Sequence, residues 1–150
     1  MMEEIEPIVR RMLSKRLTSA VGTFHFFRGR ESADPIAVWL TFEETQYRFA
    51  GAPNGWHLVV DDVAPKEVDM GESGAIRIRD LSARPIYAAV MGQLVRDCWL
   101  VESTLPNGII GVRFGFDAST MRILNWGDEM YVAHDFPRDA DPREIVERLI

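Results

Sequence analysis

The stretch Ile36–Val60, IAVWLTFEETQYRFAGAPNGWHLVV, is written a second time in the chain as Ile110–Val132, IGVRFGFDASTMRILNWGDEMYV. At an offset of 74 positions Ile36, Val38, Leu40 and Phe42 fall on Ile110, Val112, Phe114 and Phe116. The same offset puts Glu43 on Asp117 and Tyr47-Arg48-Phe49 on Met121-Arg122-Ile123. The next loop is two residues shorter in the second copy, so the offset falls to 72, and Gly55, Leu58 and Val60 meet Gly127, Met130 and Val132. Apolar residues at every second position, kept in both copies, are what strands with one buried face each require. Two meanders of this length cannot each hold a core alone, so they should pack together or share one curved sheet. The expectation is an α+β fold, a mainly antiparallel sheet or half-barrel built from two similar meanders. It is an internal pseudo-repeat with halves at about 3–60 and 85–132.

Working outward, Val21–Phe27 and Val95–Val101 read as the strands that precede each copy, with Phe24 and Phe26 meeting Cys98 and Leu100 at the same offset. Pro53-Asn54-Gly55 and Pro106-Asn107-Gly108 are turn signals. Gly74–Asp80, GAIRIRD, alternates as a strand bridging the halves. Three helices are expected. Glu3–Leu17 carries an apolar stripe of Ile5, Ile8, Val9, Met12 and Leu13, with acids at its start and bases toward its end. Pro85–Met91 is a short middle helix with Pro85 in its first turn and Gly92 past its end. Asp141–Ile150 has Asp141 as N-cap, Pro142 at the first helical position and Glu144 completing a capping box.

A chain of 150 residues, 47% hydrophobic and 27% charged, fits one globular domain, 1–150. The net charge of −6 argues against a nucleic-acid binder that neutralises phosphates and against attraction to an anionic membrane surface. The N-terminus MMEEIEPIVRRML is acidic first and amphipathic, unlike a signal peptide, and no run reaches the length of a membrane span. The expected compartment is the cytoplasm. Cys98 is the sole cysteine, which excludes an intramolecular disulfide and a cysteine-based zinc site.

The chemistry-bearing residues are sparse. His25, His57 and His134 are scattered, with no second ligand at metal-binding spacing, so no metal and no cofactor is expected. Cys98 shares the core-facing parity of Leu100 and reads as buried and inert. Asn125-Trp126-Gly127-Asp128-Glu129 could pair carboxylates for acid–base work, but a tight hairpin with Gly127 at an unusual backbone angle explains it as well. The run MRILNWGDEMYV after a GVRFGFD strand resembles the C-terminal hairpin of small bacterial domains, some of them immunity proteins of polymorphic toxin systems. That resemblance implies a protein that binds and neutralises a cognate toxin.

The remaining signals concern binding. Asp61–Glu72, DDVAPKEVDMGE, sets Asp61, Asp62, Glu67, Asp69 and Glu72 against one lysine, a charge pattern suited to attracting a basic surface. Trp39 and Trp99 have the parity opposite to the repeated apolar set; Trp56 opens a strand, Trp56–Val60, just after a turn, and Trp126 lies in the Asn125–Glu129 hairpin. On a sheet covered on one side only, such indoles become interface anchors; beneath helices they are core. The expected function is therefore a non-catalytic acidic binding protein acting on a protein partner, such as a basic toxin domain. Its candidate contacts are Trp39, Trp56, Trp126, the five loop carboxylates, Asp128 and Glu129. The alternative is a small-ligand-binding or enzymatic domain using a groove between the meanders, with His25, His57, Asp128 or Glu129 as polar groups. A homo-oligomer through the exposed sheet face is compatible with either.

Overall fold

A computed structural model describes residues 4–150, so Glu3, assigned to the first helix from the sequence, lies outside it. In chain order the elements are α1 (Ile5–Arg10), β1 (Leu17–Phe27), β2 (Arg30–Glu31), β3 (Ala37–Phe42), β4 (Thr45–Gly51), β5 (Leu58–Asp61), β6 (Val68–Asp69) and β7 (Ala75–Asp80). They continue with α2 (Pro85–Ala88), β8 (Asp97–Thr104), β9 (Asn107–Gly115), β10 (Thr120–Trp126), β11 (Glu129–Ala133) and β12 (Ile145–Leu149). The mainly antiparallel α+β expectation holds at this level.

One sheet has the order β5-β4-β3-β1-β7-β6, with β2 added to the end of β1; the other has the order β11-β10-β9-β8-β12. In both, a four-strand meander runs outward from a first strand, whose other edge is taken by a strand that follows the meander. The period-2 residues of the two meanders meet in one core. Phe114 of β9 lies 5.4 Å from Phe42 of β3 and 6.0 Å, edge-on, from Phe49 of β4, measured between ring centroids. Ile8, Val9 and Met12 close the same core from the N-terminal segment, and Tyr87 and Val90 from the middle one. Backbone bonds fasten the two segments that lead into β1 and β8: Ser14 N–H donates to the Val95 carbonyl at 2.9 Å, and Val95 N–H to that of Lys15 at 2.9 Å.

Two helical expectations are corrected. The first helix ends at Arg10 instead of Leu17. Ser14 takes φ 63° and turns the chain so that Leu17 can begin β1, where its backbone finds sheet partners. The C-terminal segment Asp141–Ile150 is no helix at all. Its capping residues serve a single 3-10 turn, Pro142–Glu144, in which Asp141 Oδ1 accepts from the Arg143 amide at 3.0 Å. Ile145–Leu149 then pairs with the open edge of β8, Glu147 opposite Val101 and Leu149 opposite Trp99. The segment's apolar residues suit either period. An unpaired sheet edge, with its row of amide and carbonyl groups, decided the outcome.

Among the described residues no helix is long and apolar enough to cross a membrane.

Candidate functional site

The acidic loop folds back on its own sheet. Asp61 is held by Arg48, with Nε 2.8 Å from Oδ1, and also accepts from the Val63 amide at 3.2 Å. Glu67 accepts from the Ile78 amide at 3.0 Å, and Asp69 from that of Gly71 at 2.9 Å. The loop thereby covers the outer face of β3: Val63 offers its carbonyl to the Trp39 indole N–H at 2.6 Å. Trp39 is 5% exposed. It is a covered residue and not an exposed anchor, which corrects its place among the candidate contacts. Trp99, on the outer face of the second sheet, is half-buried beneath the Arg113 guanidinium, 4.2 Å from its ring centroid.

The other two tryptophans come together. Trp56, in the β4–β5 loop, is 58% exposed. Trp126 stands at the end of β10, where Gly127 and Asp128 form a two-residue turn with φ of 63° and 68°. Both residues in the left-handed region define a type I′ hairpin, and that matches the twist of the flanking strands. Both loops line one cleft of about 520 Å³, floored by Ile110 and closed by the segment that crosses from β11 to β12. That segment supplies Asp139, Asp141 and Glu144 to the rim. Asp139 accepts from the Trp126 indole N–H at 3.1 Å, and so fixes the ring. Arg143 bonds Asp141 at 3.0 Å and holds its carboxyl below the usual carboxylate range.

Asn125 joins the halves at the cleft. Its amide nitrogen donates to the His57 carbonyl at 3.0 Å. A carbonyl partner requires a donor, so the amide orientation is fixed by the bond. Gly51 leaves the room: a Cβ there would meet the Asn125 amide nitrogen at 3.0 Å and an Asp128 carboxylate oxygen at 3.1 Å. Asn125 Oδ1 is buried and has no hydrogen-bond partner among the described residues. The sequence carried a signal for this residue that turn reasoning missed. Asn125 has the parity of Met121 and Ile123, a polar residue at a core-facing position.

The three histidines each reach a backbone carbonyl. His57 accepts at Nδ1 from Asn54 at 2.9 Å and reaches the Asn107 carbonyl with Nε2 at 3.1 Å, and this docks the β4–β5 loop on the β8–β9 hairpin. His25 Nε2 lies 2.9 Å from the Ser73 carbonyl, and His134 Nδ1 2.5 Å from that of Thr120. Cys98 is buried, and burial pushes its thiol up to about 12, so thiolate is scarce at neutral pH. Glu129 sits beside Asp34; burial first, and then that neighbouring carboxyl, push it above its ordinary value. Asp62 and Glu72 are exposed, and the acidic loop does not reach the tryptophan cleft. Among the described residues no group of three or more His, Cys, Asp or Glu is placed to hold a metal.

A second hollow, about 1200 Å³, runs between α1, β5 and the β8–β9 hairpin, with Tyr47, Leu58 and Ile109 on its apolar walls. His57 borders it; His25, Asp128 and Glu129 do not.

Comparison with protein-family models, with curated proteins and with solved structures finds no match for the chain.

Proposed function

We propose that this is a cytoplasmic, non-catalytic binding protein that engages a protein partner through the Trp56–Trp126 cleft. One observation carries the reading: an exposed indole and a second, fixed one face a single acid-rimmed cleft whose walls come from both halves of the chain. Large aromatic anchors in a pre-shaped pocket are the usual carriers of interface energy. The net charge of −6 adds long-range attraction for a basic partner. The likeness of the β10–β11 run to immunity proteins makes a toxin domain the partner to look for first.

We also infer that the two halves descend from one unit. The support is the shared offset and the shared strand order. Trp56 then lies in, and Trp126 leads into, corresponding loops, each between the third and fourth strands of its meander. The cleft is the place where those two loops meet.

The test is a photo-crosslinking residue at position 56 in the source cell, with one at Lys66 on the acidic loop as the control. The expected result is one protein captured from 56 and not from 66, whose toxicity on co-expression is suppressed by this chain. Equal capture from both positions would remove the cleft from the reading. If no protein is captured, while an apolar small molecule raises the melting temperature, the hollow beside α1 is the functional site.

A further inference from the structure

The chemistry of the cleft narrows what can enter it, on the footing that the cleft is the binding site proposed above. Its described lining contains three carboxylates, Asp139, Asp141 and Glu144, and no Lys, Arg or His. Arg143 answers Asp141, whereas the Glu144 side chain has no hydrogen-bonded or ion-paired partner among the described residues. Asn125 supplies an independent observation. It is 4% exposed, it lines the cleft, and its Oδ1 is a buried acceptor that no described residue satisfies. Buried acceptors are seldom left so, because an unmade bond costs the desolvation of the group. The amide nitrogen is turned to His57 and Gly51, and the His57 carbonyl accepts from it as well as from the Ala52 amide at 2.8 Å, so rotating the side chain would set Oδ1 against that carbonyl oxygen. A donor brought by a ligand would satisfy Oδ1.

Negative charge at the rim that the single Arg143 offsets only in part, a buried acceptor and indole surface select a donor that is cationic, flat and carried on an apolar stem. We propose that the cleft receives an arginine side chain from the partner protein, its guanidinium bonding Asn125 Oδ1 and the Glu144 carboxylate while its stem lies along Trp56 and Ile110. Arginine fits better than lysine. Its five donors point in several directions from one plane, so it can satisfy two separated acceptors while stacking on an aromatic ring; an ammonium is a compact, strongly hydrated point charge. The fold already packs guanidinium on aromatic rings, with Arg113 over Trp99 at 4.2 Å and Arg122 over Phe136 at 4.5 Å.

The probe is a blocked Gly-Arg-Gly tripeptide, titrated against the 15N-labelled full chain while the tryptophan indole resonances are followed. Blocked tripeptides with citrulline or lysine in the centre serve as comparators. Citrulline keeps the shape and hydrogen-bonding length of arginine without its charge. Arginine should shift the Trp56 and Trp126 indole signals and bind roughly tenfold more tightly than citrulline at low salt, with the advantage shrinking as salt is raised. Glu144→Gln should lower arginine affinity about fivefold and leave citrulline unchanged. Trp56→Ala should abolish both, with the melting temperature unmoved. Asn125 itself is a poor variant because it also braces His57, so the two rim changes carry the test. Citrulline or lysine binding as tightly as arginine overturns the assignment, and so does arginine binding that leaves both indoles unmoved. Either failure would leave crosslinking from position 56 intact, so the partner site and its arginine specificity fail separately.

Discussion

At the scale of single residues, the four tryptophans share a type and differ in fate. Parity placed Trp39 on the face opposite the repeated apolar set, and that is where it lies. Whether that face is open depends on Asp61–Glu72 folding over it, through bonds from Arg48 and Ile78 that no local pattern announces. Trp56 reads from the sequence as the first residue of a strand, but β5 begins at Leu58, which leaves Trp56 in the loop and exposed. Asn125 was legible in principle, as the polar member of an apolar alternation, but its partner is a carbonyl 68 positions away. The two indoles should therefore separate stability from binding. Trp39→Ala removes a covered side chain and leaves the Val63 carbonyl without its donor, which should cost about 3–5 kcal/mol and lower the melting temperature steeply. Trp56→Ala should change stability by no more than about 0.5 kcal/mol while speeding release of a bound partner. Thermal melts of both variants decide it. A large loss of stability in Trp56→Ala would make that residue a packing element of the loop.

At the scale of elements, the strands of the two meanders could be read because each buries one face and repeats every second residue. β12 could not. Its residues Ile145, Val146 and Leu149 fit a helical stripe as readily as a strand, and what made it a strand is the open edge of β8, far away in sequence. The capping residues before it were read as the start of a helix and serve a single 3-10 turn instead. β12 is held by charge as well as by pairing. Glu147 receives the Arg122 fork at 3.1 and 2.8 Å and lies 3.5 Å from Arg113. Arg148 bonds Glu102 of β8 at 3.0 Å and Glu6 of α1 at 2.9 Å. The Arg122 and Glu147 side chains are 13% and 18% exposed, so removing the carboxylate strands two arginines in a poorly hydrated place. Glu147→Gln should cost about 3 kcal/mol and release the amides of β12 to hydrogen exchange before those of β9 and β10. If β12 stays as protected as β9, the backbone pairing alone holds the edge.

At the scale of the whole molecule, the two meanders share one core. Each meander offers one apolar face, and the two faces close on each other, with Phe114 of the second half against Phe42 and Phe49 of the first. The cleft depends on the same union, because Asn125 of one half holds the His57 carbonyl of the other. His57 in turn occupies the space over Gly108, where a Cβ would stand 2.2 Å from its Nε2. Stability and site are thus one cooperative property, and weakening the shared core should disable both together. Phe114→Ala empties the contact between the halves, and a phenylalanine lost from such a place costs about 3–5 kcal/mol, a large part of the roughly 5–15 kcal/mol that holds a domain of this size. Unfolding should nevertheless remain a single transition in denaturant, with fluorescence of the tryptophans and far-ultraviolet circular dichroism moving together at a lower midpoint. Fragments 1–83 and 84–150, made separately, should each lack a cooperative transition, because each exposes the face that the other covers. They should recover one when mixed, and with it the Trp56 and Trp126 environment of the intact chain. A fragment that melts cooperatively alone, or a Phe114→Ala protein with two transitions, would mean that the halves carry separate cores and that the cleft is a contact between two finished units.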